Sequence, residues 1–238
     1  MKGRPAAIGI LLALAAAAAC GGTASPGGSQ TFTFVFSSGP QDWVAGFADY
    51  PAGQEAFYEL ASGYQPLPAP IGPGASAWFL AGNNHSDDLF MFLKRRVTGL
   101  RADAAFTATF TVEFATDVPR GCVGIGGQPG ESVHVKAGAA STEPRTQPDA
   151  SGHLRLTVDQ GNQANDGRDA VVIGTIENAV VCGNAPRWEL KSLQSRTNAL
   201  TVRTDRDGAL WLFTGTDSGF EGRTSIYITR FVAALTAQ

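Results

Sequence analysis

The stretch AAFTATFTVEFAT, residues 104–116, decides the fold class of this chain. Apolar side chains occupy every second position from Phe106 to Phe114, and threonine or glutamate fills the positions between them. Because successive side chains of a β-strand point to opposite faces, this pattern puts one face of a long strand on an apolar core and the other in water. It predicts a half-buried strand of an antiparallel sheet.

The same period of two recurs along the chain, whereas a helical period does not. Four more segments show it clearly, at residues 32–36, 133–137, 154–158 and 226–231. Turn-rich stretches separate these segments, and one of them, DRDG at residues 205–208, looks like a hairpin turn.

The composition fits one globular domain. The chain has 238 residues, of which 43% are hydrophobic and 16% charged, so it can bury one sizeable core. No internal repeat is visible, and the one helical candidate, residues 53–60, could equally be a loop. We therefore predict a single all-β domain over residues 31–238, with about ten strands in two antiparallel sheets that pack as a jelly-roll β-sandwich.

The charge balance excludes one class of partner. The chain has 18 Lys and Arg residues against 21 Asp and Glu residues, a net charge of −3, and it lacks a polybasic run. It therefore offers no positive surface for nucleic acid, and we expect no nucleic-acid partner.

The N-terminus has the features of an export signal. Lys2 and Arg4 precede an alanine-rich apolar run that ends at Cys20 and is too short to span a bilayer comfortably. We interpret residues 1–19 as a signal peptide. The ending AAACG, residues 17–21, resembles the bacterial lipobox, which implies lipidation of Cys20; ordinary cleavage after Ala-x-Ala is the alternative. Residues 20–30 would then be a flexible tether, and the protein an exported, membrane-anchored lipoprotein of the bacterial cell envelope.

The remaining cysteines predict a disulfide. With Cys20 assigned to the lipid, Cys122 and Cys182 form one pair in an oxidising compartment. Closing a loop of about 60 residues would stabilise the fold by roughly 3–4 kcal/mol. The cysteine and histidine spacing fits neither a redox nor a zinc motif.

Two segments carry a resemblance. The stretch LFMFLKRRVTGL at residues 89–100, followed by the strand at 104–116, looks like the strand, Gly-Leu, short turn and long strand of galactose-binding-like jelly rolls, the fold of many carbohydrate-binding modules. The ending GFEGRTSIYITRF, residues 219–231, is similar to their last strand. Where this chain has Thr229, those modules often carry an Asp near a structural calcium. The resemblance implies a jelly roll and, by analogy only, sugar binding.

A second resemblance covers more of the chain but implies no activity. Residues 31–235 resemble a group of uncharacterised exported bacterial lipoproteins that share the strings FADYP, residues 47–51, and GNNHSDD, residues 82–88. Catalytic motifs are missing: there is no Gly-x-Ser-x-Gly, no His-Glu-x-x-His and no phosphate loop, and no strand offers the paired carboxylates of jelly-roll glycosidases. We therefore predict that the protein is not an enzyme and has no catalytic residue.

Two polar loops are the candidates for a ligand site. NNHSDD, residues 83–88, combines carboxylates, amides and an imidazole, which can hydrogen-bond sugar hydroxyls or ligate a hard cation. DWVAGFADYP, residues 42–51, interleaves aromatic and acidic side chains, as sugar-binding faces do. The alternative is that these residues only shape turns. The predicted ligand-binding residues are Asp49, Tyr50, Asn83, Asn84, His85, Asp87 and Asp88.

The remaining aromatic and acidic residues fit a structural role better. Trp43, Trp78, Trp188 and Trp211 are expected in the core, whereas Tyr50, which precedes Pro51, is expected to be accessible. The acidic loop at residues 159–167 fails the calcium-loop pattern, so we expect an exposed turn and no metal site or cofactor, with a structural calcium as the alternative.

Three functions follow from these features. The first is a non-enzymatic envelope lipoprotein that binds glycan or another surface ligand through its loops. The second is a structural or protein-interaction lipoprotein, and the third is a polysaccharide-active enzyme. Accessible aromatic rings would favour glycan, a flat apolar patch would favour an envelope protein, and two converging ionisable groups with pKa values pushed apart would favour an enzyme.

Overall fold

A computed structural model describes residues 28–238. The predicted signal peptide (residues 1–19), the lipidation site Cys20 and most of the tether lie outside the described residues, so these features stay predictions. Over residues 28–238, no helix is long and apolar enough to cross a membrane.

Strands dominate this part of the chain. The strands are β1 (Gln30–Val35), β2 (Val44–Ala48), β3 (Tyr50–Pro51), β4 (Ala61–Pro66), β5 (Ser76–Asn83), β6 (Leu89–Val97), β7 (Ala105–Thr116), β8 (Val133–Ala140), β9 (Thr146–Pro148), β10 (His153–Leu156), β11 (Ala170–Thr175), β12 (Glu189–Gln194), β13 (Leu200–Arg203), β14 (Leu210–Ser218) and β15 (Arg223–Ala237), and one short 3-10 helix spans Phe36–Ser38. The strands outnumber the predicted ten because several, such as β3 and β9, are only two or three residues long.

The strand order is that of a jelly roll. A seven-stranded sheet has the order β12-β7-β15-β5-β4, with β1 beside β15 and β13 beside β7, and a five-stranded sheet has the order β11-β8-β14-β6-β2. The antiparallel pairs are nested: β5 with β15, β6 with β14, β7 with β12 and β13, and β8 with β11. Successive pairs alternate between the sheets, which is the double Greek key of a jelly-roll sandwich. The predicted fold class is confirmed.

The period of two in β7 has the predicted effect. Phe106, Phe110 and Phe114 are buried between the two sheets, and the threonines between them face outward. In β15 the same alternation buries Ile226 and Ile228 and turns the intervening side chains to the outer face of the seven-stranded sheet.

Strand β6 is covered on both faces. All five residues from Leu89 to Leu93 are buried. Leu89, Met91 and Leu93 belong to the core between the sheets, whereas Phe90 and Phe92 join a second, smaller cluster with Phe213 and Val158. Residues 141–169, which we call the flap, supply Val158 and cover the outer face of the five-stranded sheet. Within the flap β10 pairs with β9, and β10 also pairs with β3, outside the flap, in a small third sheet.

Residues 53–60 form turns and no helix, which is the loop alternative left open by the sequence. Tyr58 N–H donates to Gln54 O, but Glu59, with a φ of 48°, stops the helical path. The turn at residues 205–208 exists and is closed by Asp205, but it joins β13 of one sheet to β14 of the other, so it is not a hairpin.

The predicted disulfide is confirmed. Cys122 and Cys182 are bonded, with their Cα atoms 5.1 Å apart. The bond joins the loop after β7 to the loop before β12, beside a bridge between Arg120 and Val181. It therefore fixes the loops at one end of the sandwich.

Candidate functional site

The predicted ligand residues follow two strands of the sandwich. Asp49 and Tyr50 come directly after β2, and residues 83–88 connect β5 to β6. The structure brings Asp49 and Asp88 together around one arginine, but it gives the other five residues separate environments.

Asp49 and Asp88 share Arg155 of the flap. Arg155 Nη1 lies 2.9 Å from Asp49 Oδ1 and 3.0 Å from Asp88 Oδ2, and its Nε lies 3.2 Å from Asp149. Gln160 Nε2 donates to the second oxygen of Asp49 at 3.0 Å. An open polar cavity of about 320 Å³, which we call the flap pocket, lies beside these groups; its lining includes Asp49, Asp88, Arg155, Asp159, Gln160 and Asn162.

Burial and like charge favour the protonated forms of both carboxyls. Desolvation raises the pKa of Asp88 to about 7, and the negative charges of Asp49 and Asp217 add to the effect. Desolvation also raises the pKa of Asp49, although its hydrogen bond from Arg155 opposes the shift. The two pKa values therefore move in the same direction, which is not the division into acid and base that a glycosidase uses.

A buried ion pair lies between the flap and the five-stranded sheet. Lys136 of β8 and Asp217 of β14 are fully buried, with Lys136 Nζ 2.9 Å from Asp217 Oδ2. The ammonium also donates to Gln160 O at 2.8 Å and Asn165 O at 3.1 Å, so its three N–H groups all have acceptors. These bonds hold the flap to the sheet. Sequence patterns do not predict this pair, because the burial of Lys136 comes from the distant flap.

Tyr50 and Asn84 have structural roles. Tyr50 is only 4% exposed, which contradicts the expected accessibility: its ring packs against Tyr58 and its hydroxyl donates to Glu55 at 3.3 Å. Burial and the Glu55 charge raise the Tyr50 pKa to about 12. Asn84 is also buried, and its Nδ2 donates to the carbonyls of Ser218 and Phe220. Neither side chain presents a surface to a ligand.

The other three loop residues are more accessible. Asn83 donates to Glu59 at 3.0 Å, and Asp87, with a φ of 58°, accepts a bond from Gln163 at its carbonyl. His85 stacks on the exposed ring of Phe57, with centroids 4.1 Å apart. Phe57 lies in the turns at residues 52–59, outside the two predicted loops, and its ring is 58% exposed beside His85.

The carboxylates of the acidic loop at residues 159–167 hold the local backbone and one arginine. Asp159 accepts from the N–H groups of Gly161 and Arg168, whereas Asp166 accepts from the N–H of Val172 and pairs with Arg196 at 3.1 Å. Among residues 28–238, no group of three or more His, Cys, Asp or Glu side chains is arranged to hold a metal ion.

A second candidate site lies on the outer face of the seven-stranded sheet. Tyr227 of β15 faces outward between Ile226 and Ile228 and is directly opposite Phe79 of β5, with ring centroids 4.9 Å apart. Trp188, just before β12, packs edge-on against Tyr227 at 5.2 Å. All three side chains are partly exposed, and we call them the aromatic face. Gln65 Nε2 donates to the Tyr227 hydroxyl at 3.2 Å.

The aromatic face differs from the sequence expectation. Trp43 is buried as predicted, but Trp78, Trp188 and Trp211 are only partly buried. Trp188 therefore belongs to a surface and not to the core. The alternation Ile226-Tyr227-Ile228 could have indicated an exposed aromatic ring on this face, since two inward isoleucines require the tyrosine between them to point outward.

One end of the sandwich exposes apolar side chains. Val123 is 93% exposed and Ile125 72%, on the loop that the disulfide fixes, and Val181 is exposed on the loop joined to it. A side chain at Gly124 or Gly126 would collide with Phe220 or with the backbone of Gly219. These glycines hold the loop against the body of the domain while Val123 and Ile125 point outward.

The comparisons with known proteins give structural neighbours only. The chain matches no protein-family model and no curated protein. Solved structures that it resembles include the K1 cleaved adhesin domain of Lys-gingipain from Porphyromonas gingivalis, at 11% identity over 88% of this chain and 99% of that one, with a TM-score of 0.36. The carbohydrate-binding module TmCBM61 in complex with β-1,4-galactotriose is 11% identical over 84% and 92% of the chains, with a TM-score of 0.34. TmCBM27, described for specific mannan recognition, is 12% identical over 88% and 99%, with a TM-score of 0.34.

Proposed function

We propose that this domain is a non-enzymatic glycan-binding module, and that sugar rings bind on the aromatic face. One observation carries the proposal: Phe79, Tyr227 and Trp188 form a partly exposed row across three elements of one sheet face. Aromatic rings offer the flat apolar surface on which the C–H face of a pyranose packs. The predicted loop site supports such stacking less well, because Tyr50 is buried.

The polar groups beside the aromatic face suit sugar hydroxyls. Gln65 has its amide at the Tyr227 hydroxyl, so donor and acceptor groups lie at the edge of the ring. A few such groups beside an apolar surface are what fixes the orientation of a bound small ligand.

A glycan array with the domain of residues 28–238 tests the proposal. We expect saturable binding that Tyr227→Ala and Trp188→Ala each weaken by about tenfold, the equivalent of losing one aromatic contact of about 1.4 kcal/mol. Phe57→Ala is the matched control, because it removes an exposed ring that stacks on His85 of the predicted loop at residues 83–88. Loss of binding with Phe57→Ala and not with Tyr227→Ala would move the site to the loops, and absence of binding to any glycan would overturn the function.

The envelope location is part of the same proposal. It is supported by the sequence of residues 1–21 alone, which resembles a lipoprotein signal. Metabolic labelling with palmitate should mark the full-length protein and should be lost in Cys20→Ser. An unlabelled wild-type protein would leave an ordinary secreted domain.

One observation favours the second candidate, a protein-interaction domain. Val123, Ile125 and Val181 are exposed apolar side chains on loops that the disulfide connects. Such patches mark interaction sites more often than chance. If the array shows no binding, Val123→Ser with Ile125→Ser should reduce the recovery of a partner from envelope extracts, while Thr201→Ser, an exposed control on β13, should not.

A further inference from the structure

A groove runs beside the aromatic face and has a different chemical character. Across the sheet, Leu190, Ala115, Tyr227 and Phe79 are register partners in one row, and Ser192 and Glu113 are partners in the next row. Since side chains two residues apart on a strand share a face, both rows lie on the outer face, about 7 Å apart. A groove of about 300 Å³ lies over the second row, and Leu190 stands between the groove and the aromatic face.

The exposed surface of the groove is mainly apolar. Val35, Leu67, Ala75 and Leu190 supply its aliphatic side chains, and Leu190 is 61% exposed although it stands on a sheet face. The uncharged polar residues of the lining are Ser37, Ser76, Ser192 and Thr229. The two cations in the lining are both paired: Arg230 with Glu113 at 2.7 Å and Lys191 with Glu177 at 2.9 Å. The groove therefore presents aliphatic surface with its charges neutralised, and it has no ring on which a sugar could stack.

The aromatic face and the groove together fit a ligand with two chemically distinct parts. We propose that the groove receives an aliphatic chain carried by the glycan, so that the ligand class is an acylated or alkylated sugar. The inference rests on the proposed function, since the sugar would bind on the aromatic face while its chain enters the groove beside Leu190. One ligand can occupy both surfaces, because the aromatic face and the groove share one sheet face and meet at Leu190.

Alkyl β-D-glucosides provide the probe. Methyl, butyl, hexyl and octyl glucoside differ only in chain length and can be titrated below their micellar concentrations by calorimetry. For each methylene that enters the groove we expect an increase in affinity of about fourfold, as apolar burial predicts. An affinity that does not depend on chain length would overturn the inference.

Two tryptophan variants locate the chain. Ser192 is exposed on β12 and lines the groove, so Ser192→Trp should fill it and abolish the dependence on chain length. Gln194, also exposed, lies on the same strand and face outside the lining, so Gln194→Trp is the matched control and should keep the dependence. Both place an aromatic residue on a strand, which tolerates it. Equal behaviour of the two variants would contradict the assignment.

A third variant separates this inference from the proposed function. Tyr227→Ala should lower the affinity for every glucoside by the same factor and leave the effect of chain length unchanged. If chain length matters but Tyr227→Ala changes nothing, the chain and the sugar do not belong to one ligand and the inference fails. If the glycan array depends on Tyr227 while chain length has no effect, the inference fails and the proposed function stands.

Discussion

Lys136 shows how a single residue can depend on a distant segment. Its position in the alternating segment 133–137 is that of an outward-facing polar residue, yet it is fully buried. The flap supplies two of its three acceptors, and Asp217 supplies the third together with the compensating charge. A buried ammonium is tolerated only with such complete pairing.

Removing one member of the Lys136–Asp217 pair should destabilise the fold. We expect Lys136→Met to lower the free energy of unfolding by about 3–5 kcal/mol, because Asp217 would remain buried without its counter-charge. Urea denaturation measures the loss. Lys136→Met combined with Asp217→Asn removes both charges, keeps an acceptor for the Gln163 N–H, and should recover most of the stability. A single variant as stable as the double variant would contradict this account.

The raised pKa of Asp88 predicts a pH effect of definite sign. The folded state raises this pKa from 3.8 to about 7, so the folded protein binds the proton more tightly than the unfolded chain does. The stability that this group contributes is complete below pH 3.8 and is lost as the pH rises through 7. Compared with the wild type, Asp88→Asn should gain relative stability between about pH 4 and pH 7. Parallel pH profiles of the two proteins, measured by thermal unfolding, would refute the prediction.

The residues of the candidate sites show what the sequence could specify. Trp43 and the buried positions of β7 follow from the local apolar pattern, and both are where the sequence predicts them. The predicted exposures of Tyr50 and Trp188 are both wrong, because the tyrosine is buried and the tryptophan is partly exposed at the surface. Their burial depends on neighbours from remote segments, such as Tyr58 and Tyr227, which local periodicity does not reveal.

At the scale of elements, the flap explains why the five-stranded sheet was harder to predict. Alternation appears where one face of a strand meets water, as in β7 and β15. The flap removes water from the outer face of β6, so its sequence is a continuous apolar run, which does not distinguish a strand from a buried helix. The flap strands β9 and β10 are too short for a clear pattern.

The flap should open separately from the sandwich when its packing is weakened. Val158 is buried in the small cluster with Phe90, Phe92 and Phe213. Val158→Ala removes about two methylene equivalents of burial, so we expect a loss of about 2 kcal/mol. Limited proteolysis should then cut within residues 141–169 at an increased rate while the rest of the domain stays resistant. Val44→Ala, at an exposed position, is the control and should leave the rate unchanged.

For the whole molecule, the disulfide is the long-range covalent constraint that the sequence predicts correctly. It closes a separation of 60 residues and joins loops at one end of the sandwich. Reduction, or replacement of Cys122 and Cys182 by serine, should lower the free energy of unfolding by about 3–4 kcal/mol. The serine variant should unfold at the same temperature with and without reductant. A wild-type protein whose unfolding temperature does not respond to reductant would contradict the estimate.

The position of β15 has a consequence for the order in which the chain can fold. Although it is the last strand of the described residues 28–238, it lies inside the seven-stranded sheet, where it pairs with β7 on one side and with β5 and β1 on the other. A nascent chain that has not yet been synthesised through residues 223–237 therefore has three strands without their shared neighbour. The seven-stranded sheet cannot close before residues 223–237 are synthesised, so folding is dominated by late, long-range pairing and should be slow.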